Sequence, residues 1–104
     1  MSKECTLCDQ GKCQPTFVYV VGNRDGTGSV KVGISVSASK RLAQHRKKTR
    51  RDLVVHWKKL LSCEFAAFDA EQAICDQLDY CRDQGDWFFR PVGDVVLIAE
   101  KACK

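Results

Sequence analysis

The sequence lacks any apolar stretch approaching the roughly 20 residues that a membrane-spanning helix requires. Its first residues, Met-Ser-Lys-Glu, also lack the apolar segment of a secretory signal. The seven cysteines are an odd number, which together with the missing signal favours reduced thiols over a disulfide framework. We therefore expect a cytoplasmic protein that does not act at a membrane.

Acidic residues are absent between Asp25 and Asp52, whereas residues 40–51 hold seven of the 17 lysines and arginines. Nine of the 13 acidic residues lie from Glu64 onwards. A local excess of positive charge attracts polyanions and is where a phosphate backbone would bind. The candidate nucleic-acid-binding residues are Lys40, Arg46, Lys47, Lys48, Arg50 and Arg51. The alternative is that this basic stretch is an ordinary solvated helix face.

Internal repeats and low-complexity tracts are missing, and 104 residues suffice for one core but not for two. The first 15 residues are polar and cysteine-rich and end in proline, so we interpret residues 1–15 as an N-terminal arm and residues 16–104 as a single domain. The spacing of Cys5 and Cys8 lets two thiolates reach one Zn²⁺, with Cys13 as a third ligand. A fourth ligand would have to come from the folded domain or a second chain, so free thiols are the alternative.

Residue patterns predict secondary structure along the rest of the chain. β-Branched and aromatic residues predict strands over residues 16–21, 30–34 and 53–63, the first two joined as a hairpin by the glycine-rich segment GNRDGTG. Helices are predicted over residues 38–48, with Ser37 or Ser39 as the cap, over residues 68–82, and over residues 92–103, capped by Asp94. The segment DWFF can add a short strand or turn.

The expected fold class is therefore α/β of the α+β kind. It consists of a small three-stranded antiparallel sheet flanked by helices, in the order ββαβα followed by a C-terminal helix. In such a hairpin, Tyr19 and Lys31 can meet on neighbouring strands. Arg41 and His45 are four residues apart and project from the same helix face.

Five short motifs occur in a fixed order. They read FVYVV around Tyr19, VKVGIS around Gly33, KRL around Arg41, AEQAI around Glu71, and GDWFF. This arrangement resembles the GIY-YIG nuclease superfamily, in particular its compact phage and bacterial branch, and the resemblance extends over residues 16–89. It implies a GIY-YIG-like fold and a protein of a bacterium or of a phage-infected cell.

The resemblance also implies roles for individual residues. Glu71 would hold a divalent cation, Mg²⁺ or Mn²⁺, Tyr19 would activate the attacking water, and Arg41 would bind the phosphate through its planar fork. His45, one turn after Arg41, is a further candidate catalytic residue. Lys31 stands where many members have tyrosine, and we expect it to supply a cation next to the phosphate.

Two further positions belong to the motifs rather than to the chemistry. Gly33 is expected to allow a close approach of backbone and substrate. Trp87 is expected to be a core residue that closes the sheet, with stacking on nucleic acid as the alternative.

The implied function is metal-dependent cleavage of DNA phosphodiester bonds in phage biology, mobile elements or bacterial defence, with a partner protein or attached module supplying specificity. We expect Tyr19, Lys31, Arg41 and Glu71 to converge on one face of the domain. The alternative function is a degenerate module that binds nucleic acid or a protein without cutting. In that case Tyr19 would be a packing residue, His45 a solvated helix residue, and Glu71 a charge that favours the helix dipole.

Overall fold

The computed structural model describes residues 14–103, which form a five-stranded antiparallel sheet and three α-helices. The strands are β1 (Thr16–Asn23), β2 (Val30–Ser35), β3 (Leu53–Leu61), β4 (Arg82–Gln84) and β5 (Trp87–Phe88), and the helices are α1 (Ala38–Thr49), α2 (Glu64–Leu78) and α3 (Val92–Ala102). The α+β class is confirmed. The prediction of three strands is wrong, because β5 pairs with β2 and β4 pairs with β5, giving the order β3-β1-β2-β5-β4.

Helix boundaries differ from the predictions where the capping residue is unusual. α2 begins four residues before the predicted start because Cys63 is its N-cap, with Sγ accepting a hydrogen bond from the Ala66 amide at 3.3 Å. α2 ends at Leu78 and is followed by a 3₁₀ turn (Asp79–Cys81), so Arg82 belongs to β4 and not to the helix.

The ends of the other two helices also depend on single residues. Ser37 caps α1 as predicted, since its side chain accepts from the Lys40 amide. The N-cap of α3 is Pro91, so the prediction that Asp94 caps this helix is wrong. Asp94 lies in the first turn, where it pairs with Arg90 at 3.1 Å. None of the helices within residues 14–103 is long and apolar enough to cross a bilayer.

Each face of the sheet carries a buried cluster, because side chains alternate between the two faces along each strand. Val18 and Val20 point to the face on which α2 and α3 pack, and their buried cluster includes Ile74 and Phe88. Tyr19 points to the opposite face, where it is buried with Val21, Ala38 and Leu53. We call these the α2–α3 face and the α1 face. Cys5, Cys8 and Cys13 lie outside the described residues, and so does the predicted zinc site.

The β1–β2 hairpin fixes the position of Tyr19. The predicted hairpin is confirmed, and its turn contains Gly26 and Gly28 at φ 81° and 76°, a conformation that favours glycine. The resulting register pairs Tyr19 with Gly33. A Cβ at position 33 would lie 2.6 Å from Cζ of Tyr19 and closer still to its hydroxyl oxygen. The Tyr19 ring therefore makes a close approach over Gly33, and the approach of substrate at this position stays a prediction.

We predict that Gly33→Ala destabilises the domain by about 1–3 kcal/mol, because the added methyl group would displace a buried tyrosine. The matched control is Gly93→Ala in α3, where an added Cβ meets nothing within 4 Å. That substitution should leave stability unchanged or raise it by about 0.5 kcal/mol, since alanine is the better helix residue. Urea denaturation of the two variants measures both effects, and equal midpoints would contradict the prediction.

Candidate active site

Tyr19 and His45 form the centre of the candidate site. The Tyr19 side chain is only 1% exposed, yet its hydroxyl lies 3.1 Å from Nε2 of His45. Helix α1 packs on the same face of the sheet as Tyr19, and this brings His45 to the Tyr19 hydroxyl. The C-cap of the helix is Arg50, whose backbone is left-handed at φ 58°. Arg41, one turn earlier, is exposed and donates to Oε1 of Gln44 at 3.0 Å.

The protonation states of the pair follow from their surroundings. Burial raises the pKa of Tyr19, an effect that the positive charge of Arg41 opposes. Burial also lowers the pKa of His45, and the charges of Lys31 and Arg41 lower it further. At pH 7 the site therefore holds a protonated phenol hydrogen-bonded to a neutral imidazole, which is able to accept a proton.

Lys31 and Trp87 complete the α1-face part of the site. Lys31 pairs with Trp87 across β2 and β5, and its Nζ lies 5.8 Å from the indole centroid. The indole meets the His45 ring edge-on at 6.3 Å. Phe88 is fully buried, whereas Trp87 is half-buried and packs against His45 and Lys31.

Glu71 approaches from the other layer. It lies on α2, is 8% exposed, and accepts a long hydrogen bond of 3.5 Å from Gln72. α2 packs on the face of the sheet opposite Tyr19, so the convergence of Tyr19, Lys31, Arg41 and Glu71 on one face stays a prediction. Glu71 acts electrostatically on the site. Its charge adds to the rise in the pKa of Tyr19 that burial causes, and it opposes the lowering of the pKa of Lys31 that burial causes.

Asp86 is a site residue that the sequence analysis missed. Its backbone oxygen accepts from the Val32 amide at 3.2 Å, which holds the β4–β5 turn beside β2. Its negative charge contributes to the raised pKa of Glu71 and to that of Cys75, which burial raises to about 12. The signal in the sequence is a carboxylate immediately before the Trp87 that pairs with Lys31, but that pairing is visible only in the fold.

The surroundings of Glu71 fit a hydrated divalent cation. The ion pairs among residues 14–103 use other carboxylates, and burial raises the pKa of Glu71, so its charge lacks a close protein counterion. Within the same residues no group of three or more His, Cys, Asp or Glu side chains could hold a metal by itself. Mg²⁺ is commonly bound by one or two carboxylates, waters and substrate phosphates, and Glu71 is suited to that arrangement.

The basic stretch divides into exposed and internally bonded residues. Lys40, Lys47, Lys48 and Arg50 are exposed on α1 and its C-terminal cap, as is Arg46, although its Nε donates to the Leu53 carbonyl at 2.7 Å. For these five residues, nucleic-acid binding stays a prediction. Arg51 differs, because its guanidinium donates to Asn23 and Ser29 and stacks on Trp87 at 4.9 Å. We therefore assign Arg51 to the structure and not to the phosphate-binding set.

Comparison with known proteins gives one family. A family model described as the T5orf172 domain matches residues 16–103 of the chain. This is a different family from the GIY-YIG superfamily, so the assignment made from the short motifs is wrong. No curated protein and no solved structure matches the chain.

We predict that Glu71→Gln stabilises the folded domain at neutral pH. A raised carboxyl pKa means that the folded state holds the proton more tightly than the unfolded chain, so ionisation of Glu71 destabilises the fold as pH rises through the folded pKa. The variant should melt above wild type at pH 7, and the difference should vanish below about pH 4, where the unfolded carboxyl is also protonated.

Thermal denaturation across this pH range checks the prediction, and 1 kcal/mol corresponds to roughly 4–8 °C in Tm for a domain of this size. The matched control is Glu100→Gln on the exposed side of α3, for which no pH-dependent gain is expected. A Glu71→Gln protein that melts below wild type at pH 7 would contradict the account of Glu71 as a buried, uncompensated charge.

Proposed function

The chain belongs to the T5orf172 domain family, and from this membership and the geometry around Tyr19 we propose that it is an endonuclease that cleaves DNA phosphodiester bonds. The T5orf172 domain is a phage-associated domain of endonuclease-like type, and a general nuclease function is consistent with that type. The observation that carries the finer proposal is the hydrogen bond between a buried tyrosine and a neutral histidine, next to a guanidinium, an ammonium and a carboxylate.

Tyr19 and His45 supply the proton transfer. Because the pKa of Tyr19 is raised, the phenol does not act as a standing phenolate. It acts as a relay: Tyr19 takes a proton from the attacking water while it passes its own proton to Nε2 of His45. Before the transfer, neutral His45 carries its one ring proton on Nδ1, so that Nε2 can accept. After the transfer the ring is an imidazolium. The water oxygen then attacks phosphorus, and the leaving oxygen departs with the electron pair of the broken P–O bond.

Arg41 and Lys31 stabilise the charge of the phosphate. Arg41 is exposed at the mouth of the site, and its planar guanidinium can donate two hydrogen bonds to phosphate oxygens. Lys31 is half-buried beside Trp87, which places an ammonium in a partly dehydrated position where its field is stronger than in water. Both cations also lower the pKa of His45, so they keep the base neutral until the reaction delivers the proton.

Glu71 is the residue that would hold Mg²⁺ or Mn²⁺. Such a cation, when bound, supplies positive charge to the phosphate and the leaving oxygen. The role of the protein in this step is to present one buried carboxylate whose charge has no close cationic partner within residues 14–103. Asp86 adds a second negative charge near Glu71 and so strengthens the preference of this position for a cation.

We predict that the protein nicks supercoiled plasmid in the presence of Mg²⁺ or Mn²⁺ and that Tyr19→Phe reduces the rate by about 10²–10⁴-fold, because the relay is removed while the ring still fills its site. Tyr80→Phe is the matched control, since Tyr80 is the second of the two tyrosines and is 72% exposed. Glu71→Ala should also abolish nicking. Gel electrophoresis of the plasmid measures all three rates.

The outcomes of this assay separate the two candidate functions. Wild-type protein that retards the plasmid without nicking it would contradict the enzyme and support the binding module. Nicking that persists in Glu71→Ala, or that falls equally in Tyr19→Phe and Tyr80→Phe, would remove the site from the proposal, because the activity would then come from elsewhere.

We further predict an acid limb in the pH dependence of the nicking rate that lies below pH 6.5. The reaction requires neutral His45, and burial lowers the pKa of this residue. The nicking rate should therefore be at its maximum at pH 7 and fall as the pH drops through the pKa of His45. His45→Gln should slow the reaction and abolish the limb. The control is His56→Gln, the other of the two histidines, which bonds the Asn23 carbonyl and should keep the limb. An unchanged limb in His45→Gln would refute the role of His45.

A further inference from the structure

Charge is divided unequally between the two layers of the domain. Residues 16–61, which build β1, β2, α1 and β3, contain eleven lysines and arginines but only two carboxylates. Asp25 accepts hydrogen bonds from Thr27, and Asp52 pairs with Arg24, so neither faces the sheet as a free charge. Residues 62–103, which include α2 and α3, contain nine carboxylates and three basic residues. A polyanion is therefore attracted to the α1 face and repelled from the opposite one.

α1 does not cover the whole of that face. Its Ala38 is buried with Tyr19, Val21 and Leu53, and Phe17 packs against this cluster. Two cross-strand rows of side chains cross the face here, one containing Lys58, Tyr19 and Gly33, and the next containing Leu60, Phe17 and Ser35. Lys58 is exposed and Leu60 is 51% exposed, so the β3 ends of these rows form an open half of the face, next to the buried Tyr19.

Lys58 is held on this open half. Its Nζ lies 5.2 Å from the centroid of the Phe17 ring in the neighbouring row, a cation–π contact that holds the ammonium over the surface between the Tyr19 row and the Phe17 row. The ion pairs among the described residues do not include Lys58, so its charge is not neutralised within that part of the chain. Lys59, the next residue, pairs with Val18 on the α2–α3 face, where its Nζ donates to the Cys103 carbonyl.

We propose that Lys58, together with Phe17 and Leu60, forms a second DNA-binding surface on the side of Tyr19 away from α1. One part of the DNA would then contact the basic residues of α1, the phosphate to be cut would lie at Tyr19, and the neighbouring phosphate would lie at Lys58. Phe17 and Leu60 provide apolar contact for the sugar and base that follow. The inference rests on the proposed function, because it assigns a path to the substrate of the same site.

The two adjacent lysines provide the test. Binding of a fluorescently labelled DNA duplex is measured by anisotropy in EDTA, which prevents cleavage, over a series of salt concentrations. Each phosphate contact contributes about 0.9 to the slope of log K against log salt. We expect Lys58→Ala to flatten the slope by about that amount, and Lys58→Arg, which keeps the charge, to retain it. Lys59→Ala removes the same charge from the other face and should leave the slope unchanged.

The outcomes distinguish this inference from the proposed function. If wild type binds DNA with a salt-dependent affinity and Lys58→Ala has the wild-type slope, the second surface is refuted while the nuclease proposal stands. Equal flattening by Lys58→Ala and Lys59→Ala also refutes it, because the effect would then reflect net charge and not position. If wild type shows no salt-dependent affinity for DNA, the proposed function fails and the inference with it. Thermal denaturation of each variant establishes that the proteins compared are folded.

Discussion

The close packing of Tyr19 against Gly33 is the constraint on which the rest of the site depends. The β1–β2 register puts the two residues opposite each other, and the missing side chain of Gly33 leaves the space that the phenol fills. Only in that position does the hydroxyl reach His45 on α1. A register shift by one residue would turn Tyr19 toward α2 and α3 and bring a valine to the α1 face. The hairpin turn, with its two positive-φ glycines, therefore sets the chemistry as well as the fold.

The burial of ionisable side chains at the candidate site lowers the stability of the domain. Burial raises the pKa of Tyr19 and Glu71 and lowers that of Lys31, which means that each is less easily charged than in water. Groups perturbed in this way are typical of functional sites, where stability and activity conflict. The apolar cluster on the α2–α3 face, with Val18, Ile74 and others fully buried, offsets this cost from the other side of the sheet.

The sequence allowed the elements with strong local signals to be predicted, and it failed where tertiary contacts decide. β1, β2, α1 and β3 were placed nearly correctly because their patterns are long and regular. β5 lies in the DWFF segment, for which a short strand or turn was predicted. β4 and the pairing of both strands with the sheet were not predicted, because strands of three and two residues have no periodicity to detect. The same limit explains why Asp86 was missed, because it comes to lie beside β2 only through tertiary contacts. It also explains the wrong family, since motifs of three to six residues carry less information than a match over residues 16–103.

The two short strands β4 and β5 position several residues of the candidate site. β5 holds Trp87 between Lys31, Arg51 and His45. The β4–β5 turn is itself held by Arg82, which pairs with Asp79 and Asp86, donates to the Gly85 carbonyl and stacks on Phe88. These contacts are largely polar and exposed, in contrast to the buried valines of β1 and β2. Elements with few buried apolar contacts open locally more readily than the core. The fully buried Phe88 anchors β5 in the core, so Trp87 keeps its place beside His45 even though the turn before it is held by exposed polar contacts of Arg82.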